Sequence, residues 1–500
     1  MTRASNTAFL AGVMLLCIVS SALALNYADI YARSRELPAE RELLDSISFS
    51  IQKNPGQAVM TRRTLSNSTF TSRHSMSLSF KALGREFSAS LHHNNDLFHP
   101  KAVVSVFSEG ELVETYSPQS RAYLGEATID GREQASVSAV VADYDQGVFH
   151  MSIWNAQTGE SYVVEPTYLH PELSKKRSEG GGMMETLSGG NMVVFKEHWD
   201  ELPFAPRNVD QAEEEGEQPP VSCGTGDIQE GEEDAEDVVD PTSSCPPRSA
   251  SYLLMGVATD NQYVRKAGGT SGTPNTISYV WSTMQGHYYT AVRNKPVIKS
   301  LVINSSPSSS SSSSTNFNTA SCPSDVQTRL TPFCNWRVRQ TDRTIGLWHL
   351  LSGCLPDRTG VAGRAYYSAL CRYTTQGCGI TGYLGGNARW VIPAHEIGHN
   401  YGARHSSNIM APSVNSRATG FAQTSINDMC RYTFSVSART ACLLDRLPED
   451  QSPTLPDQEE SSSSEEEGCE CKKRSENVVV VQGSESAAAT PSSALLEALF

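Results

Sequence analysis

The sequence predicts an α/β protein of 500 residues, β-rich in its first half and mixed in its second. Three observations predict this. Apolar and polar residues alternate in Ala102-Val103-Val104-Ser105-Val106-Phe107 and in Ala135-Ser136-Val137-Ser138-Ala139-Val140-Val141, the period of half-buried strands. Ser251 to Val264 (SYLLMGVATDNQYV) is an apolar run ending in polar residues, which reads as another strand. His395 and His399 stand four apart, so that on a helix both rings point the same way, and Gly402 follows as a stop.

Taken in order, residues 1–24 carry Arg3, the apolar run from Ala8 to Val19, and Ala22-Leu23-Ala24 as a small-x-small cleavage signal. This is the pattern of a signal peptide, so the chain is expected to be secreted and extracellular. No other stretch has the length needed to span a bilayer, so no transmembrane anchor is expected. Residues 25–205 form the β-rich domain, with Asn67 and Asn304 further along as N-x-S/T glycosylation acceptors. Lys175-Lys176-Arg177 is a basic processing sequence. Residues 206–248 are an acidic linker, residues 249–447 a second domain with a serine-rich surface run at 305–314, and residues 448–500 an acidic, serine-rich, disordered tail. The net charge of −15 sits largely in these acidic runs, which repel themselves and stay solvated. No basic stripe with interleaved aromatics is present, which argues against a nucleic-acid partner.

Residues 395–405 read His-Glu-Ile-Gly-His-Asn-Tyr-Gly-Ala-Arg-His. His395, His399 and His405 are the candidate metal ligands. Three neutral imidazoles with an open fourth position describe a catalytic zinc site, whereas a structural zinc is closed by four protein ligands. Glu396 lies beside the first ligand, placed to act as general base on water without ligating the metal. By average residue frequencies the extended motif arises by chance in roughly one chain of this length in 100,000. Pro393 is acceptable in the first turn of a helix, so the helix is expected to begin near Trp390.

Met410 follows in Ser-Asn-Ile-Met-Ala-Pro, residues 407–412. The zinc motif with this methionine resembles the metzincin proteases, in which a methionine turn lies beneath the imidazoles. The segments 251–264, 344–371 and 421–444 narrow the resemblance to the ADAM, or reprolysin, branch, in the secreted forms of fungi and other lower eukaryotes. The resemblance implies a twisted, mostly parallel sheet, a long helix before the site helix within residues 272–294, and a β-rich propeptide before the protease domain. It also implies zinc as cofactor, protein or peptide substrates laid along an edge strand near Thr359–Tyr367, and a zymogen. A monomer is expected. Two departures, Ser406 in place of the usual aspartate and a short His405–Met410 segment, keep an alternative in view: a weak or inactive extracellular binding relative.

Twelve cysteines in an exported chain imply disulfides. The resemblance makes Cys223, in Val-Ser-Cys-Gly, the candidate cysteine switch, a thiolate closing the open zinc position; the other reading is a disulfide with Cys245. By proximity and resemblance, Cys322–Cys334, Cys354–Cys371 and Cys430–Cys442 are the candidate pairs. Gly468-Cys469-Glu470-Cys471 resembles the opening of a disintegrin domain, but no cysteine-dense body follows.

Overall fold

The computed structural model describes residues 40–53, 74–170, 191–197, 245, 250–309, 314–355, 361–413, 415, 417–439, 442–445 and 447. Cys223, Lys175 to Arg177, Asn67, residues 1–24, the acidic linker apart from Cys245, and residues 448–500 lie outside them.

Eleven strands come first: β1 Arg41–Leu44, β2 Ser48–Lys53, β3 His74–Ala82, β4 Arg85–His93, β5 Phe98–Ser108, β6 Glu111–Tyr116, β7 Ala122–Ile129, β8 Glu133–Asp143, β9 Val148–Trp154, β10 Ser161–Pro166 and β11 Met192–Lys196. Then follow β12 Ser251–Thr259, α1 Asn261–Lys266, α2 Gly269–Val292, β13 Asn294–Asn304, α3 Gln327–Val338, β14 Leu347–Ser352, β15 Gly363–Ala365, β16 Cys378–Gly382, α4 Ala388–Asn400, α5 Gln423–Arg439 and β17 Leu443–Leu444.

Nine of the first eleven strands build an antiparallel sheet in the order β1-β11-β10-β9-β8-β7-β4-β3-β2. In β4 burial alternates, with Phe87, Ala89 and Leu91 inside and Ser88 and Ser90 outside, as expected when one face meets water. In β10 every residue from Ser161 to Pro166 is buried, because the second face there is covered as well. The start of α4 covers β10, and α2 covers β9. Helix α2 is buried nearly all round, with one side against this sheet and the other against β13 and α4.

The second sheet runs β15-β16-β14-β12-β13-β5-β6. Its inner pairings are parallel, and β15 and β6 close the two edges antiparallel. This matches the expected mostly parallel sheet, with one difference. Two of its strands, β5 and β6, come from the N-terminal region rather than from residues 249–447. The alternating segment 102–107 that signalled a strand therefore lies in β5 and pairs with β13.

Three local expectations are corrected. Among the described residues the disulfides are Cys245–Cys430, Cys322–Cys354, Cys334–Cys378 and Cys371–Cys442, so the pairs Cys322–Cys334, Cys354–Cys371 and Cys430–Cys442 are not formed. Proximity in sequence failed because α3 carries Cys334 away from Cys322 and packs it beside the start of β16. Cα separations of 5.2 to 6.1 Å suit all four bridges. Cys245 is bonded to Cys430 and so is not paired with Cys223. Asn304, expected as a glycan acceptor, is buried at the end of β13, and its amide nitrogen donates to the Thr259 carbonyl at 2.6 Å. A glycan at that nitrogen would need both the hydrogen bond and the packing undone. The site helix begins at Ala388 rather than near Trp390, leaving Pro393 in its second turn. Contacts from outside hold the early start: the Asn387 side chain accepts from Ser152 at 2.8 Å and donates to Ser161.

Candidate active site

The sequence places the chemistry on α4, and its C-terminal end decides the geometry. Gly402 sits at φ +84°, a left-handed conformation that ends the helix and turns the chain back. His395 and His399 project from the last turns of the helix, and the returning chain brings His405 to them. One ring nitrogen from each of the three lies within 4.8 Å of the others.

The outer nitrogens fix the tautomers. His395 Nδ1 lies 2.7 Å from the Ile409 carbonyl, and His399 Nδ1 lies 2.8 Å from the Ala403 carbonyl. A carbonyl only accepts, so each Nδ1 carries the proton and each Nε2 presents a lone pair inward. Those two Nε2 atoms are 3.1 Å apart. Two lone pairs at that distance repel unless a cation sits beside them. His405 Nε2 is buried and has no hydrogen-bond partner. All three rings are held in the neutral form. Burial pushes His399 down to about 4, with His405 adding to it; burial with the neighbouring His399 and His405 pushes His395 well below its usual range, and burial also lowers His405. Neutral imidazoles with convergent lone pairs and bonded outer N–H groups are what a divalent metal requires.

Glu396 is fully buried one residue after the first histidine. The backbone of β15 passes so close that a Cβ on Gly363 would lie 2.6 Å from the Glu396 carboxylate. Beside it a small cavity is lined by apolar residues such as Ala362, Val391, Ile392 and Ile409 together with His395, Glu396, Ser413 and Asn415.

Met410 reaches the site helix despite the short loop. A Cβ on Gly398 would lie 2.5 Å from the Met410 sulfur, so the methionine packs against the helix between the two histidines. Three features close the loop in five residues. Ser406 N–H donates to the Met410 carbonyl at 2.8 Å, Asn408 takes φ +59°, and Asn408 forms a bridge with Phe421. Ser406 Oγ, where an aspartate is usual, pairs with Ser425 Oγ at 2.6 Å and so ties the loop to α5.

A family model described as metallo-peptidase family M12, Reprolysin_5, matches residues 248–439. Over these residues the chain is similar to the reprolysin-type metallopeptidases of family M12. It is similar to "Disintegrin and metalloproteinase domain-containing protein B" of Aspergillus fumigatus, at 24% identity over 240 residues, which is 41% of this chain and 30% of that protein. The match thus spans less than a third of the relative's length. The structure brings together His395, His399, His405, Glu396 and Met410, all named from sequence. Cys223 lies outside the described residues. Sequence reasoning did not single out Gly363, Gly398 or the carbonyls of Ile409 and Ala403. A glycine facing a carboxylate across the sheet edge leaves no local signal, and a backbone acceptor is invisible in any sequence.

Another charged cluster was not anticipated either. Glu165 of β10 is fully buried and pairs with Arg389, in the first turn of α4, at 3.1 Å. His170 Nε2 approaches the same carboxylate at 2.6 Å and His150 Nε2 at 3.4 Å. Burial would raise the Glu165 carboxyl, but Arg389 and the two histidines outweigh it and hold the group ionised. Burial lowers His150 to about 4, partly offset by Glu165, so its ring is neutral there.

Proposed function

We propose that this chain is a secreted zinc endopeptidase made as a zymogen. The observation that carries the reading is the convergence of three neutral imidazoles, their outer N–H groups bonded to carbonyls or their inner nitrogen unpartnered, beside a buried glutamate. His395, His399 and His405 would hold zinc through Nε2. Zinc, when bound there, supplies Lewis acidity to the substrate carbonyl and to the attacking water.

The chain's own residues supply the rest. Glu396 takes the proton from the attacking water and returns it to the leaving amine nitrogen. Gly363, by having no side chain, leaves the carboxylate room to do so. An extended peptide would add a strand to the open edge at β15. Met410 and the Ile409 carbonyl set the tilt of the His395 ring. The Cys223 thiolate is proposed as the latent fourth ligand. The signal-like residues 1–24 and four disulfides support export, and among the described residues no helix is long and apolar enough to cross a membrane.

The test is digestion of a mixed peptide library by the secreted, processed protein. Cleavage that disappears both on chelation and in Glu396→Gln would support the reading. No cleavage from a folded, zinc-loaded Cys223→Ala protein would replace it with a binding role.

A further inference from the structure

A removable inhibitory domain should lie over the cleft and leave a polar surface when it goes. Among its described residues the N-terminal region does neither. No described residue of 41–196 lines the cavity beside Glu396. The contacts of that region lie instead along the far edge of the second sheet, the back of α2 and the first turn of α4.

The contacts are those of a domain interior. Strand β5 is hydrogen-bonded in parallel to β13 from Ser300↔Val103 to Asn304↔Phe107. Phe98, Val104 and Val106 share one core with Val257, Trp281 and Leu301. On the back of α2, His150 stacks on Tyr279 with ring centroids 3.7 Å apart. The Asn94 side chain donates to Ser282 at 3.0 Å and to Gln285 at 2.9 Å. At α4, Glu165 meets Arg389, Ser152 meets Asn387, and Trp154 faces His287, which itself stacks on Trp390 at 4.6 Å. Taking the β unit away would expose an edge strand, an apolar helix face and an unpaired buried arginine at the base of the site helix.

The topology adds a second lock. Lys175 to Arg177 fall between β10 and β11 in the chain. Strand β11 stands between β1 and β10 in the first sheet, paired to both. A cut after Arg177 would therefore leave β11 on the C-terminal piece but inside the N-terminal sheet, while β5 stays on the N-terminal piece but inside the C-terminal sheet. Each piece completes the other. A cut just C-terminal to the linker would not free it either, because Cys245 is bonded to Cys430 on α5.

We infer that residues 41–196 are not shed on maturation but remain as a permanent half of the working molecule, held by sheet sharing through β5 and β11 and by the Glu165–Arg389 contact. The surface formed by β13, α2 and the first turn of α4 is thus an interaction site whose partner is the chain's own β unit. The inference goes beyond the protease reading and does not require it.

The experiment is cleavage after folding, so that no variant has to fold without its partner half. A site for a sequence-specific protease is placed at residues 175–177 in one full-length chain and at residues 228–232 in another, both carrying Cys223→Ser. After removal of residues 1–24 the piece ending at 177 has no cysteine, so nothing covalent can hold it. The expected result is co-elution of both pieces at the mass of the intact chain in gel filtration at neutral pH. They should separate only at urea concentrations that also unfold the C-terminal piece. Free N-terminal piece from either cut chain in native buffer, or its release before the C-terminal piece unfolds, would overturn the inference. Peptide cleavage plays no part in this readout. A cut protein that stays together but cleaves nothing would sink the protease reading alone.

Discussion

At the scale of single residues, reach decides the site. Glu396 is held beside His395 with no room behind it, and β15 can pass only because position 363 has no Cβ. Glu396→Gln keeps the shape but cannot accept a proton. We expect kcat to fall on the order of 10²- to 10⁴-fold with the melting temperature unchanged. Gly363→Ala puts a methyl group 2.6 Å from the carboxylate. The carboxylate must shift, and kcat should fall by on the order of 10²-fold while circular dichroism and zinc stoichiometry stay as in the parent. Parental kcat in the Gly363→Ala enzyme would mean that Glu396 is not confined by β15. His395, His399, Glu396 and His405 were legible in sequence because their spacing is set by one helical turn and one glycine stop. The grip on His395 Nδ1 was not, because its acceptor is a backbone carbonyl fourteen residues on.

At the scale of elements, α4 carries ligands at one end and a buried charge at the other. Arg389 is nearly inaccessible and shares Glu165 with His150 and His170. Arg389→Ala leaves a buried carboxylate without its strongest partner, and we expect a loss of about 3–5 kcal/mol in urea unfolding. Arg389→Lys should recover part of it, since the charge returns without the planar fork. A loss below ~1 kcal/mol in the alanine variant would show that water or the histidines take over. The helix start shows why element boundaries were harder to read than element identity. The proline rule places Pro393 in a first turn, yet Ser152 and Ser161, more than two hundred residues earlier, hold Asn387 and begin the helix upstream. The disulfides follow the same logic. All six candidate cysteines are bonded, but their partners follow the packing of α3 and α5 and not the sequence order.

For the whole molecule, buried histidines set the response to acid. Burial lowers His150, His287 and His399 to about 4 and His349 to about 3. In the unfolded chain the same rings bind protons near pH ~6.5. Between those values the unfolded state holds more protons, so stability is full above pH ~6.5 and is lost as pH falls toward about 4. The melting temperature of the metal-free protein should therefore drop steadily across that window, and a flat profile from about pH 7 to about pH 4.5 would contradict the burial of these rings. A bound metal should raise the melting temperature at neutral pH, and chelation should lower it, because only the folded chain brings the three imidazoles together.

The sequence alone determined whatever depends on contacts within a few residues. The alternation in 102–107 and 135–141 specified strands, His395 and His399 specified one face of a helix, Gly402 specified its end, and His405 and Met410 followed at fixed distance. The tertiary structure decided what depends on residues far apart in the chain. It placed β5 in the C-terminal sheet, set Glu165 against Arg389, buried Asn304 and chose the partner of every bonded cysteine. The physical reason is that periodicity reports which face of an element is covered but not by what. Nothing in the β9 or β10 sequence says what covers it, and only folding supplied α2 over β9 and the start of α4 over β10.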